Sequence, residues 1–384
     1  MIDYLLTEEQ IMVRDLSRQI ADEKIRPAAA EYDRTEEFPW DVVKAMAQSD
    51  MFGVYIEEKY GGMGGGVMEL CLATEEFSRG CAGIALAFAA TALGTFPLIL
   101  FGSDAQKAKY LPAIARGEKL AAFGLTEPGA GSDAGAIQTV AEKKGDRYVL
   151  NGVKHFITNG GEAEIYTIIA MTDRSKGPRG ASLFLVEKDT PGFTFGKKED
   201  KMGIRASSTR ELVFDNCEIP RENLLGKEGQ GFIAAMKTFD MSRPGVGAQA
   251  LGIAQAALDE SIKYAKQRKQ FGKPISSFQG IQWMLADMAT QVEAARALVY
   301  ASAREIDAGR KNVGVHSAMG KMYASDVAMK VATDAVQIFG GYGYMKEYPV
   351  EKFMRDAKIT QIYEGTNQIQ RNIIALGLIK ETAR

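Results

Sequence analysis

Two short segments of this sequence combine residue types that can do chemistry. In Ile362-Tyr363-Glu364-Gly365-Thr366-Asn367-Gln368 a glutamate stands among apolar residues and is followed by glycine at a predicted helix start. A carboxylate taken out of water has a raised pKa and can accept a proton. A negative charge that merely favours a helix N-terminus explains the same pattern. In Thr126-Glu127-Pro128-Gly129-Ala130-Gly131-Ser132-Asp133 the glycines let backbone approach a ligand closely, and successive N–H groups can form an anion nest. A surface turn has the same composition. Other chemistries find little support. His155 and His316 are too few for a His-based triad or a His-rich metal site. Cys71, Cys81 and Cys217 lack zinc-site spacing, so no metal is expected. There is no G-x-x-x-x-G-K-[ST] phosphate loop. Gly129 to Gly135 is not a dinucleotide fingerprint, because its third glycine comes one residue late and no βαβ unit surrounds it.

The elements that must position these segments fall into three parts. Residues 1–118 read as helical. Thr7-Glu8-Glu9-Gln10 is a capping box that opens a helix, with Met12, Leu16 and Ile20 on one face. Pro27 should end or bend that helix, and Pro39 suits the first position of the next. Tyr60 to Gly66 reads as a flexible loop. Residues 119–226 read as a β domain. Asn151-Gly152 between Tyr148–Leu150 and Val153–Thr158 predicts a hairpin turn. Further strands are expected at Ser182–Val186 and Glu211–Phe214. Residues 227–384 read as a four-helix bundle. Ile281, Leu285, Met288, Val292, Ala295 and Val299 form one apolar stripe. Met319, Met322, Val327, Val331 and Ile338 form a facing one, closed by Gly340-Gly341. The fold class is therefore α+β, mainly α.

The chain has 384 residues, enough for two or three packed domains. A formal net charge of −2 offers no general attraction for nucleic acid or acidic lipid. Ala82 to Phe101 approaches the length of a membrane span, but its Ala, Gly and Thr content and Pro97 predict a buried helix with a break instead. Three cysteines make no disulfide scaffold, and the first residues lack a signal-peptide profile, so the cytoplasm is the expected compartment.

An ordered set of motifs resembles the acyl-CoA dehydrogenase family along nearly the whole chain. It comprises Glu57-Glu58-Lys59-Tyr60-Gly61-Gly62, Gly124 to Asp133, Phe156-Ile157-Thr158-Asn159-Gly160-Gly161, Arg268-Lys269-Gln270-Phe271-Gly272, Gln337-Ile338-Phe339-Gly340-Gly341 and Ile362 to Thr366. The likeness is greatest to bacterial short-chain, butyryl-CoA-type members. It implies FAD between the β domain and the bundle. Phe123, Gly124, Leu125, Thr126, Gly131, Ser132, Phe156, Ile157 and Thr158 match positions at the flavin end. Phe156 replaces a frequent tryptophan, which keeps an aromatic cover and loses an indole N–H. Arg268, Gln270, Phe271, Gln279, Gln337, Ile338, Gly340, Gly341, Thr366 and Gln368 match contacts to the rest of FAD. Part of that contact crosses to a neighbouring subunit in the family, which implies a homotetramer.

For acyl-CoA the resemblance implies contacts from Ser132, Phe232, Asp240, Arg243, Tyr363 and Gly365. Asp240 and Arg243 are also spaced as a helix-surface ion pair. Glu364 would be the catalytic base that removes the α-proton, its N–H and a FAD hydroxyl holding the thioester carbonyl as an oxyanion hole does. Flavin N5 would accept the β-hydride, giving a 2-enoyl-CoA. In some relatives the base stands on the bundle's first helix, at the position of Ser242, which cannot do that work. Ile84, Ala85, Phe88 and Ala89 match the acyl-pocket segment, although ordinary helix core explains them too. Glutaryl-CoA dehydrogenases place an arginine where this chain has Ile84, so an uncharged tail is expected, straight, branched or alicyclic. Electron transfer flavoprotein is the expected acceptor. Two rival readings are an oxygen-using acyl-CoA oxidase and a non-enzymatic flavin-binding relative. Oxidases are usually much longer, and the second rival would favour a basic surface and an altered Glu364.

Overall fold

The computed structural model describes residues 4–382. Thr7 and Gln10 form the predicted capping box on α1 (Glu8–Ile20). A π-helical turn, Ala21–Ile25, separates it from α2 (Arg26–Thr35). Pro27 has no N–H for the preceding turn, so the predicted bend falls just ahead of it. Pro39 caps α3 (Trp40–Gln48) from one residue outside. The glycine-rich run after Tyr60 is a bonded turn rather than a flexible loop. Met63 N donates to Gly53 O at 2.8 Å and Gly64 N to Ile56 O at 2.9 Å.

Next come α4 (Val67–Phe101) and α5 (Asp104–Ala115). The predicted break in α4 exists, but at Cys81 rather than Pro97. Cys81 is extended at φ −165°, ψ 116°. The Ala82 carbonyl beside the break accepts from Gln249 Nε2 at 3.2 Å, and Cys81 Sγ lies 3.1 Å from Lys352 Nζ. Side chains of Gln249 and Lys352 therefore bind α4 at the break. By length and composition α4 is the one helix among the described residues able to cross a membrane, yet 72% of its most apolar window is buried inside the protein.

The sheet comprises β1 (Ala121–Gly124), β2 (Val140–Lys144), β3 (Arg147–Thr158), β4 (Ile165–Met171), β5 (Ala181–Glu187), β6 (Phe193–Lys198), β7 (Thr209–Pro220) and β8 (Leu224–Leu225). Their order is β6-β7-β3-β2-β4-β5-β8, with β1 parallel to β4. The hairpin expected at Asn151-Gly152 is absent; β3 runs straight through it, and the chain reverses between β2 and β3 instead. Asn151-Gly152 forms an irregularity in the β3–β7 ladder. A Cβ at Gly152 would lie 2.6 Å from the Thr139 hydroxyl, and Asn151 Oδ1 accepts from Asn216 N at 2.8 Å. Asn-Gly suits a bulge as well as a turn, because both need unusual backbone.

The remaining helices are α6 (Gly231–Gln267), α7 (Gln279–Asp307), α8 (Gly314–Phe339), α9 (Val350–Thr360) and α10 (Asn367–Thr382). Helix α8 touches α6, α7, α9 and α10, and α4 packs along α6. That last approach is close enough to require glycine: a Cβ on Gly252 would sit 2.2 Å from the Glu75 carbonyl. Polar ties hold α4 to both α6 and α7. Arg79 Nη2 meets Asp259 of α6 at 2.8 Å, and Arg296 Nε of α7 meets Glu75 at 2.9 Å. On α7, Met288, Val292, Ala295 and Val299 are buried as predicted, with Ile281 and Leu285 half-buried. On α8 the buried face turns partly away from Met319 and Met322, towards Ala318, Lys321, Ala324 and Ala328.

A buried ion pair fastens the loop after β1 to the sheet. Lys154 Nζ lies 2.7 Å from Glu127 Oε1 and 3.0 Å from Leu125 O. Glu127 Oε1 also accepts from Thr139 N at 2.9 Å. Burial pulls the Lys154 pKa down to about 8, against the pull of Glu127. Glu127→Gln should destabilise the protein, because the buried Lys154 ammonium then loses its counter-charge. Its folded pKa would fall further below the ~10.4 of an unfolded lysine. The native state then binds fewer protons than the unfolded chain, so stability rises with pH over that interval. Thermal midpoints from pH 6 to 9 should put the variant several degrees below the unaltered protein at pH 6, with the gap narrowing up to about pH 8. A gap independent of pH would contradict the assignment.

Candidate active site

A cavity of about 490 Å³ opens where α4, the loop after β1, the end of β3, α6 and the α9–α10 loop converge. Glu364 stands on its wall beside Tyr363, Gly365, Ser242 and Arg243. The residue occupies left-handed backbone at φ 51°, followed by Gly365 at φ 92°. For an L-residue that conformation costs about 1–2 kcal/mol. The surroundings hold it there. The Glu364 carbonyl accepts from Gln370 Nε2 at 3.1 Å and Arg243 Nε at 3.4 Å. The Gly365 carbonyl accepts from Gln370 Nε2 at 2.8 Å and Lys321 Nζ at 2.9 Å. With both carbonyls turned inward, the Glu364 N–H is used by no hydrogen bond among the described residues.

The Glu364 carboxylate is half-buried and accepts a short hydrogen bond from the Ser242 hydroxyl. Burial raises its pKa above the usual carboxylate value, opposed by that bond and by the charges of Arg243 and Lys321. Tyr363, next to it, donates its hydroxyl to Gln249, the same residue that binds the Ala82 carbonyl at the α4 break. Arg243 is occupied on its other side by Asp240, at 3.2 Å.

Across the cavity, Phe156 lies at φ 59° in a second irregularity of the β3–β7 ladder, and its side chain is turned outward, 60% exposed. Ile157, Thr158, Phe123, Leu125, Thr126, Gly131 and Ser132 complete that wall, and Phe232 borders the cavity from α6. Nothing lies within 4 Å of the Cβ positions of Gly129 and Gly131, so backbone there faces open space. Gly124 is turned away, against Ile168.

Of the expected acyl-pocket residues only Ala89 reaches the cavity. Ile84, Ala85 and Phe88 are fully buried in the core, where Phe88 packs against Phe52, Tyr55 and Phe77. The helix is rotated so that Leu86, Ala89, Ala90 and Leu93 face the cavity, at spacing i, i+3, i+4, i+7. Leu70 and Thr74 of α4 and Gly245 and Val246 of α6 extend the same wall.

Two further cavities divide the other candidates. Arg268, Gln270, Ile338, Gly340 and Gly341 line one of about 350 Å³. Asp240 borders another of about 450 Å³, on the far side of Arg243. Phe271, Gln279, Gln337, Thr366 and Gln368 line none of the three; Phe271 is 92% exposed, and Thr366 Oγ1 accepts from Ile369 N at 3.3 Å. Sequence reasoning missed Lys321, Gln249 and Gln370 as supports of the Glu364 loop. Lys321 carried a readable signal, a charge in register with the buried Ala318, Ala324 and Ala328.

Comparison with known proteins covers the whole of this architecture. Profiles for the acyl-CoA dehydrogenase N-terminal, middle and C-terminal domains match residues 7–118, 122–217 and 229–379. A short-chain-specific acyl-CoA dehydrogenase of Clostridium acetobutylicum is 52% identical, over 97% of this chain and 99% of its own. Butyryl-CoA dehydrogenase from Megasphaera elsdenii superposes with a TM-score of 0.96 at 51% identity, over 98% of this chain and 100% of its own. A chain in a structure of the electron transferring flavoprotein of Acidaminococcus fermentans gives 0.97 at 51% identity, over 99% and 100%. An acyl-CoA dehydrogenase from Bacillus anthracis complexed with FAD gives 0.93 at 35% identity, over 100% of this chain and 68% of its own. The three consecutive domain matches and the half-identical full-length relatives show that this chain belongs to the acyl-CoA dehydrogenase family, oxidoreductases acting on a CH–CH group.

Proposed function

We propose that the chain carries out FAD-dependent α,β-dehydrogenation of a short-chain acyl-CoA, with Glu364 as the base. The observation that carries this reading is the half-buried Glu364 carboxylate on the cavity wall, its pKa raised by burial. A raised pKa brings the carboxylate closer to the weakly acidic α C–H it must deprotonate. The thioester oxygen would take the unused Glu364 N–H, which strengthens as charge develops there. The α-proton passes to the carboxylate, and the C–H electron pair becomes the new double bond as hydrogen leaves the β-carbon with its own pair.

FAD, when bound, supplies the acceptor for that β-hydrogen. The residues present fit such a group. Phe156 offers an exposed ring for a planar isoalloxazine, Thr158 and Thr126 offer hydroxyls, and Gly131 offers open backbone. Arg268, Gln270, Gly340 and Gly341 would hold the remainder, and the exposed Phe271, Trp283 and Tyr344 favour a second copy of the chain against this face, as in a homotetramer. Phe232 and the Asp240–Arg243 pair would border the CoA arm. The three cysteines, free and buried, suit the reducing cytoplasm.

Glu364→Gln keeps size and backbone but removes the proton-accepting charge. Anaerobic bleaching of the flavin by butyryl-CoA should slow at least about a hundredfold with FAD retained. Bleaching near the unaltered rate would show that another group takes the proton.

Leu70, Leu86, Ala90, Leu93 and Val246 give the tail an apolar wall, and the one cation on the cavity among the described residues, Arg243, is paired with Asp240. A tail carboxylate would stay uncompensated, at a cost of at least several kcal/mol. Butyryl-CoA should therefore turn over much faster than glutaryl-CoA in steady-state assays, and the reverse order would refute the assignment.

Electron transfer flavoprotein is the acceptor this reading favours, given the half-identical chain in a structure of that protein. Reduced enzyme should reoxidise quickly with that flavoprotein and slowly in air. Rapid reoxidation by air alone would promote the oxidase reading.

A further inference from the structure

Lys321 is a lysine with no exposed surface, in the middle of α8, that the reaction as described does not use. Burying an ammonium is costly unless it is paired and hydrogen-bonded. Its two partners belong to the segment after the base: the Gly365 carbonyl and Asn367 Oδ1, each at 2.9 Å. Asn367 is locked in turn, donating to Ser325 Oγ at 2.9 Å and Asp326 Oδ1 at 2.8 Å. A neutral side chain would have sufficed to fill the space; the charge sits behind the carboxylate.

We propose that Lys321 is a positioning residue for Glu364: from inside the bundle it fixes the Gly365 carbonyl and holds a positive charge behind the base. The inference rests on the reading of Glu364 as the base. The charged and titratable groups in this field are Asp240 and Arg243 on α6, Lys321 and Asp326 on α8, and Tyr363 and Glu364 in the loop. The charge of Lys321 opposes the rise that burial imposes on Glu364. Burial draws Lys321 itself down to about 7, against the pull of Glu364, so its charge is fullest on the acid side of that value, where the acid limb is read. Removing that charge should raise the pKa of Glu364 and move the acid limb of the rate profile to higher pH.

The test is the anaerobic bleaching rate of FAD-loaded enzyme with butyryl-CoA, followed against pH. Lys321→Gln keeps an N–H donor and removes the charge, and should shift the acid limb upward by about one pH unit, the lower end of a neighbouring charge's effect. The bleaching rate on that limb should fall about tenfold, with KM changing less. Lys321→Arg should restore the limb. Asn367→Asp leaves the lysine in place but sets an anion against it, and should move the limb the same way as Lys321→Gln. If either lysine variant yields no FAD-loaded protein, the aspartate variant decides. An unmoved limb in Lys321→Gln or Asn367→Asp, or a limb in Lys321→Arg displaced as far as in Lys321→Gln, overturns the proposal. A Glu364→Gln control separates the two failures. Fast bleaching in that control removes the base assignment itself, whereas slow bleaching with unmoved limbs removes only the role of Lys321.

Discussion

Glu364 can point its carboxylate into the cavity only because its backbone is left-handed, and an L-residue stays left-handed only where its surroundings insist. Here the insistence comes from below. Gln370, Arg243 and Lys321 bind the carbonyls of Glu364 and Gly365, and Asn367 ties the start of α10 to α8. With those carbonyls committed to the interior, the Glu364 side chain and N–H are left to face a ligand. The conformational cost at one residue is offset by hydrogen bonds to charged or buried donors, each contributing about 1.5–3 kcal/mol where the donor is charged.

The same loop reaches two other parts of the chain. Tyr363 binds Gln249, and Gln249 binds the Ala82 carbonyl beside the break in α4. That carbonyl helps to orient a residue next to the carboxylate. On the opposite wall, the ion pair of Lys154 and Glu127 fixes the loop from Leu125 to Ser132 at its root. Both walls thus rest on a buried lysine with its partners satisfied. Buried charges of this kind contribute little net stability and are costly to leave unpaired, so their use here is positional.

Much of the architecture was legible in the sequence because it depends on local chemistry. The Thr7–Gln10 capping box needs only neighbours three residues apart, and the stripe from Met288 to Val299 needs only helical period. What failed depends on tertiary context. Asn151-Gly152 supplies unusual backbone for a turn or a bulge, and only the pairing of β3 with β7 decides between them. Pro97 was the stronger helix breaker by type, yet α4 breaks at Cys81, where Gln249 and Lys352 supply partners. Of the four α4 residues expected at an acyl pocket, the rotation of the helix sets Ala89 on the cavity and Ile84, Ala85 and Phe88 in the core. Glu364 could be singled out by its apolar neighbours, but the donors beneath it come from residues 6 to 121 positions away. No spacing rule reveals those.

The central claim is that this loop presents Glu364 to the α-carbon of an acyl-CoA. A crystal structure of FAD-loaded enzyme with a non-reactive butyryl-CoA analogue tests it most directly. The account predicts a Glu364 carboxylate oxygen within about 3–3.5 Å of the α-carbon, the separation of a near-attack arrangement, with the Glu364 N–H on the thioester oxygen. An α-carbon facing some other acid or base, or a thioester carbonyl held away from the Glu364 N–H, would contradict it.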